Sequence, residues 1–301
     1  MNKIFTGKDN HLRAGWQIVL CFLTYFAANM VMQLILGLLI NAFQIQITES
    51  VELLLYIVIE LPTVLALIFV FTKINGCSVR VMGIDSVKNS WRQFIVGSLI
   101  GVISIAILAV ISYLIGDYHV VQIGFMPIIL IYFLYYIVVG ISEEILCRGF
   151  LQQTILIRWG VVAAILFPSF LFASLHLANA NFSLIAMINT ALVGIIFGIF
   201  VIRYDNIAAA IGFHIFWNFF QGNIFGVSVS GKAEAASLIK VIRDKDTIWT
   251  GGAYGLEGGL LCSVVLLIII VLQLRFMKQR PVNEEFKALT QKAEPRFPFL
   301  P

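Results

Sequence analysis

Long apolar runs separated by short polar clusters set the organisation of this chain. Eight runs stand out: Trp16–Leu39, Leu53–Phe71, Phe94–Ile115, Met126–Ile157, Val161–Leu177, Leu184–Ile202, Ile207–Phe225 and Leu256–Leu274. A helix crosses the hydrocarbon layer with about 17–25 predominantly apolar residues. The pattern therefore predicts an all-α fold, a polytopic transmembrane helical bundle of about eight spans, with residues 1–301 forming a single integral membrane domain. The fourth run is long enough to tilt or kink.

Composition agrees with that pattern. The chain is 60% hydrophobic and 12% charged, with mean hydropathy +0.97. A soluble domain averages about 25% charged residues, so no sizeable soluble domain is expected. The basic N-terminus before Trp16 resembles a signal peptide, but the run that follows is too long and no small-residue cleavage site closes it. It reads as an anchor.

Charge sets the predicted orientation. Lys3, Lys8 and Arg13 precede the first run. Lys73, Arg80, Lys88 and Arg92 lie in the second connection, and Arg158 and Arg203 in the fourth and sixth. Arg275, Lys278, Arg280, Lys287, Lys292 and Arg296 follow the last run. With eight spans all of these fall on one side, which the positive-inside rule makes cytoplasmic. Both termini are predicted cytoplasmic. Gly226–Gly255 is then a long outer loop, and residues 279–301, with four prolines, read as a mobile cytoplasmic tail. The net charge of +4 is accounted for by cytoplasmic retention and anionic headgroups. The lipid bilayer is the expected partner and nucleic acid is not. The expected location is the cell membrane, multi-pass, in the style of a bacterial plasma membrane. Cys21, Cys77, Cys147 and Cys262 form no metal-binding or disulfide spacing.

Against this apolar background, Glu143, Glu144 and Arg148 stand out in Ser142–Arg148 of the fourth run. A charge at the centre of a membrane helix costs roughly 2.5–3.5 kcal/mol on insertion scales, so three ionisable groups together call for an explanation. Glu144 and Arg148 are four apart and share a helical face, where they can pair. Glu143 points about 100° away and is left for the bundle interior, where a desolvated carboxylate can act as a general base or acid. His176 closes the fifth run, and His214 and Asn218 share a face of the seventh. His176 opposite Glu143 can orient a water, and His214 with Asn218 can donate to an oxyanion. If the fourth helix continues past Arg148 to Ile157, Glu143 lies about 21 Å from the cytoplasmic end, close to the about 22 Å of His176. The continuation is therefore predicted. Gly194 and Gly198 predict a close helix approach. Glu60 in the second run has no assigned role, and the aromatic run Phe213–Phe220 reads as core and lipid contact.

Three motifs are thus in order along the chain: Glu-Glu-x-x-x-Arg (Glu143, Glu144, Arg148), Phe-x-x-x-His (Phe172, His176) and His-x-x-x-Asn (His214, Asn218). Together they resemble the CPBP family, which comprises the type II CAAX prenyl endopeptidases and the bacterial abortive-infection and bacteriocin-immunity membrane proteins. The resemblance covers residues 94–225, roughly Phe94 to Phe225. It implies an intramembrane endopeptidase acting on a peptide or membrane-protein substrate. Glu143 and His176 would activate the water, His214 and Asn218 would stabilise the oxyanion, and Glu144 and Arg148 would support them. No cofactor is expected. The alternative is a divalent metal such as zinc on Glu143, His176 and His214. Two other readings stay open: a proton-coupled transporter, and a non-catalytic bacteriocin-immunity or sensor-binding membrane protein.

Overall fold

The computed structural model describes residues 4–7, 11–278 and 282–293. A helix corresponds to each of the eight apolar runs. They are α1 (Ala14–Phe43), α2 (Glu49–Asn75), α3 (Val87–Leu114), α4 (Ile128–Glu144) with its continuation into α5 (Gln153–Trp159), α6 (Val161–Leu175), α7 (Leu184–Tyr204), α8 (Ala208–Phe219) and α9 (Leu260–Phe276). Five are long and apolar enough to cross a membrane: α1, α2, α3 with the short turn before it, the α4–α5 run, and α7. The helices α6, α8 and α9 are shorter, at 15, 12 and 17 residues.

The bundle is apolar outside and keeps its polar groups inside, among apolar core clusters. Leu23, Phe26, Met30, Leu34 and Leu38 make α1 an apolar exposed face, and Leu99, Ile103, Leu267, Val271 and Leu274 do the same on α3 and α9. Buried instead are Glu60, Glu144, Arg148, Gln152, Asn189, His214, Gln221 and Gln273. This distribution suits a hydrocarbon solvent, which offers no hydrogen bonds to polar groups on the surface.

Small residues bring the helices together. α3 and α8 form the most extensive helix pair. A Cβ added at Gly97 would stand 1.9 Å from the Ala209 carbonyl oxygen, and one at Gly212 would stand 2.3 Å from that of Phe94. The two backbones are therefore in direct contact. Gly194 makes the predicted approach, packed against Ser169 of α6 at 2.7 Å from such a Cβ.

The fourth helix continues past Arg148, as its depth requires, but not as a uniform α-helix. Ile145–Gln152 is a π-helix joining α4 to α5, and all eight of its residues are buried. A π segment widens the turn through i→i+5 bonds and occurs frequently at functional sites. Gly160, with φ 86° and ψ 179°, then reverses the chain into α6; that conformation is essentially restricted to glycine. A second, shorter π segment, Phe220–Ile224, ends α8.

Two expectations need correction. The fold is mostly but not wholly helical. β1 (Tyr118–Ile123) pairs antiparallel with β2 (Ile239–Arg243), with Tyr118 opposite Arg243 and a register shift between Val120 and Gln122. The segment after α3 thereby holds the long loop 226–255, and the pairing satisfies backbone groups that a free loop would leave to solvent. The tail is the second correction. Glu284–Ala293 forms α10, an amphipathic helix with Phe286 and Thr290 buried, packed against α5. Glu285 accepts hydrogen bonds from the Ser78 backbone N–H, at 2.8 Å, and from the Ser78 hydroxyl. Asp205 accepts the Asn283 N–H at 2.8 Å. Beside this contact, burial and the Glu285 charge push the Cys77 thiol pKa up to about 12, so it stays protonated and unreactive at neutral pH. The parts of the tail at 279–281 and 294–301 lie outside the described residues.

Gly97→Val is expected to lower stability in detergent by about 3 kcal/mol or more, because backbone cannot yield to the added methyls. Gly37→Ala, whose Cβ meets nothing within 4 Å, is the matched control for thermal unfolding. Phe286→Ala is expected to undock α10 alone. Proteolysis within 282–293 should accelerate about tenfold or more while the unfolding midpoint of the bundle stays put.

Candidate active site

Arg148 is fully buried, which is only tolerable with partners arranged around it. Its Nη1 donates to Glu144 Oε1 at 3.1 Å and its Nη2 to the Gly194 carbonyl at 3.2 Å. The guanidinium also sits over the Phe172 ring at 4.8 Å and the Phe197 ring at 5.0 Å. A desolvated cation over an aromatic face gains about 2 kcal/mol or more. Gly194 serves twice here. Lacking a side chain, it brings α7 close and leaves its carbonyl open to the arginine. One turn on, the Gly198 carbonyl accepts Gln152 Nε2 at 3.1 Å.

Glu144 carries the network to α8. The same Oε1 lies 3.0 Å from His214 Nδ1, and a carboxylate only accepts, so Nδ1 carries the proton. His214 Nε2 then stands 3.8 Å from Glu143 Oε2. The pairing of Glu144 with Arg148, and the separation of Glu143 onto another face, follow the helical spacing read from the sequence. Glu143 is 31% exposed at its side chain while Glu144 is wholly enclosed.

Glu143, His176, His214 and Asn218 all line one cavity of about 610 Å³. His176 Nδ1 donates to the Phe172 carbonyl at 2.9 Å. That bond fixes the tautomer and leaves Nε2 as an acceptor. Phe172 also packs edge-on against both imidazoles, at 4.8 and 6.1 Å between centroids. Glu144 and Arg148 are not cavity residues; they stand behind the wall. Glu143, His176 and His214 share the cavity, yet no three His, Cys, Asp or Glu side chains among the described residues are grouped so as to hold a metal ion.

Several cavity groups carried no motif. Glu257, in the turn before α9, lines the cavity and accepts the Ser230 N–H at 2.7 Å. Asn189 of α7 holds that turn, donating to the carbonyls of Glu257 at 2.7 Å and Gly259 at 2.9 Å. Lys232 and Glu234 reach the cavity from the long loop. Glu234 accepts the Tyr136 hydroxyl at 2.5 Å. The π end of α8 fastens this roof: Gln221 donates to the Ser228 carbonyl at 2.6 Å and Asn223 to that of Ala236 at 2.7 Å. Phe213 and Trp217, stacked at 5.3 Å, also line the cavity, so part of the aromatic run is cavity wall and not only core and lipid contact. Phe22, Tyr25 and Phe26 add a wall from α1. Glu60 now has a place: it accepts from Ser142, the neighbour of Glu143, and from Tyr25 at 3.3 Å, tying α1, α2 and α4 behind the cavity.

The profile of the type II CAAX prenyl endopeptidase Rce1-like family matches residues 125–220. Within that segment the chain is similar to the Rce1-like type II CAAX prenyl endopeptidases. All seven motif residues fall inside the matched segment, which is narrower than the span over which the motifs resemble the family. The helices α1, α2, α3 and α9, the long loop and Glu257 lie outside it. None of the curated proteins or solved structures compared matches the chain. Five helices long and apolar enough to cross a membrane, together with this similarity to a membrane protease family, fit a multi-pass membrane protein.

Arg148→Met leaves the enclosed Glu144 carboxylate without its cation. It is expected to cost about 3–5 kcal/mol. Adding Glu144→Gln should return part of that loss, since the enclosed side chain left without its cation is then neutral. Thermal unfolding of the two variants in one detergent compares them.

Proposed function

We propose that the cavity is the active site of an intramembrane endopeptidase that needs no metal and hydrolyses a peptide bond with water activated by Glu143. The observation that carries this reading is Glu143 Oε2. It is buried, has no hydrogen-bond partner in the protein, and belongs to a side chain that lines the cavity. A buried carboxylate oxygen without a partner costs more than a solvated one, and a water positioned there removes that cost.

In this mechanism the water lies between Glu143 and His176. Glu143 accepts its proton as the oxygen attacks the scissile carbonyl. His176 Nε2, made an acceptor by the Nδ1 bond to Phe172, takes the second hydrogen bond and aims the lone pair. Asn218 donates to the developing oxyanion through its amide. His214 joins it as an imidazolium: Nδ1 is committed to Glu144, so Nε2 must be protonated to donate. Collapse of the intermediate breaks the C–N bond, and the proton held by Glu143 passes to the leaving amine. Arg148 holds Glu144, and Glu144 holds His214; both act by position.

Glu143→Gln is isosteric and is expected to abolish cleavage while leaving yield and unfolding temperature near the original. Full activity in that variant, measured by comparing membrane peptides released by the two proteins, would refute the mechanism. His214→Ala should lose about two to three orders of magnitude, the usual loss on removing an oxyanion donor.

A further inference from the structure

The cavity opens toward one end of the bundle, and most of the positive charges belong to segments joined to the other. Its lining runs from mid-bundle residues such as Phe26, Glu143 and His214 to the helix ends remote from Arg158, Arg203 and Arg275: His176 terminates α6, Asn189 is in the first half of α7, and Cys262 opens α9. The roof is the loop holding Ser230, Lys232 and Glu234. The sequence has 20 Lys and Arg. Arg148 is inside the bundle, four are in the roof loop, and the other fifteen belong to segments joined to the opposite helix ends. The short connections on the cavity side contain Glu49, Glu52 and Asp117 and no Lys or Arg.

With the long roof loop set aside, fifteen Lys and Arg in the tails and short loops of one side against none in the short loops of the other set orientation strongly. It puts the roof and the cavity mouth on the non-cytoplasmic side. The exposed residues of the cavity rim then describe what enters. Lys232 is exposed at the roof, while Phe26 of α1, 58% exposed, and Leu175 of α6, 45% exposed, leave an apolar side opening toward the lipid. A wholly polar peptide would gain nothing from such an edge, and a fully embedded helix would expose no bond to the roof.

We propose that the site takes its substrate from the non-cytoplasmic leaflet: an amphipathic or lipid-anchored peptide that has already crossed the membrane. Its apolar part rests between Phe26 and Leu175, and its scissile segment lies beneath Lys232 and Glu234. An export step must therefore supply the substrate, and the released fragment leaves on the outer side. The substrate part of this proposal rests on the endopeptidase reading; the sidedness rests on charge and fold alone.

Two measurements test the parts separately. The first uses a Cys77→Ser background, because the other three cysteines are buried. Ala233→Cys, in the exposed roof, and Lys88→Cys, exposed at the opposite end, are treated with a membrane-impermeant maleimide on intact cells. Ala233→Cys should label at least tenfold faster than Lys88→Cys, and both should label after permeabilisation. Labelling of Lys88→Cys alone in intact cells overturns the sidedness. The second offers a membrane-impermeant pool of quenched amphipathic peptides to sealed vesicles of either orientation, with Glu143→Gln as the blank. Cleavage in right-side-out vesicles alone is the expected result, and cleavage in inverted vesicles alone overturns the proposal. Cleavage in neither, with labelling as expected, removes the endopeptidase reading and the substrate with it, while the sidedness stands.

Discussion

Arg148 is the constraint from which the rest of the interior follows. A guanidinium enclosed in an apolar bundle is sustainable only if every neighbour is chosen for it. Glu144 neutralises it, the Gly194 carbonyl accepts from it, and two phenyl rings face it. Those partners come from α4, α7 and α6, and the shared Glu144 oxygen adds His214 of α8. One buried cation thus ties together four of the helices that surround the cavity. Residues that never touch a substrate in the proposed mechanism decide where the ones that do are held.

The polar interior has a structural consequence beyond the site. Lipid contributes no hydrophobic drive to bring helices together, so packing and internal hydrogen bonds must do it. Backbone contact between α3 and α8 through Gly97 and Gly212 supplies the first. The second comes from side chains donating to main-chain carbonyls: Gln152 to Gly198, Asn189 to Glu257 and Gly259, Gln221 to Ser228, Asn223 to Ala236. The last four bonds run to the loops and turns over the cavity. The loop is therefore a built roof, fastened also by strand pairing to the segment after α3.

The parts of the site that were legible in the sequence share one property: they break a local expectation. Charges at Glu143, Glu144 and Arg148, and imidazoles at His176 and His214, contradict the apolar runs that contain them, and helical spacing alone separates Glu143 from the Glu144–Arg148 pair. Glu257 and Glu234 break no such rule. Glu234 stands in a polar connection and Glu257 at the very start of the eighth run, where an acid is ordinary, so nothing local distinguishes them from solvated residues. The π segment at Ile145–Gln152 was hidden for a related reason, since eight residues buried all round carry no periodicity from which a wider turn could be told from an α-helix. The docking of α10 was obscured by its own composition, a short charged stretch beside prolines whose large apolar residues are only Phe286 and Leu289.

By itself, the sequence determined a helical membrane protein, the order of its helices, the charge asymmetry between its two ends and the residues that form the polar centre. Hydropathy and charge are properties of consecutive residues, so order along the chain is enough to express them. Tertiary structure alone decided that Glu143, His176, His214 and Asn218 face one hollow, that Glu144 and Arg148 stand behind its wall, and that Glu257, Glu234 and the aromatic residues of α1 complete it. Those juxtapositions join residues as far apart as Phe22 and Glu257, and only the packing of whole helices brings such distant positions together.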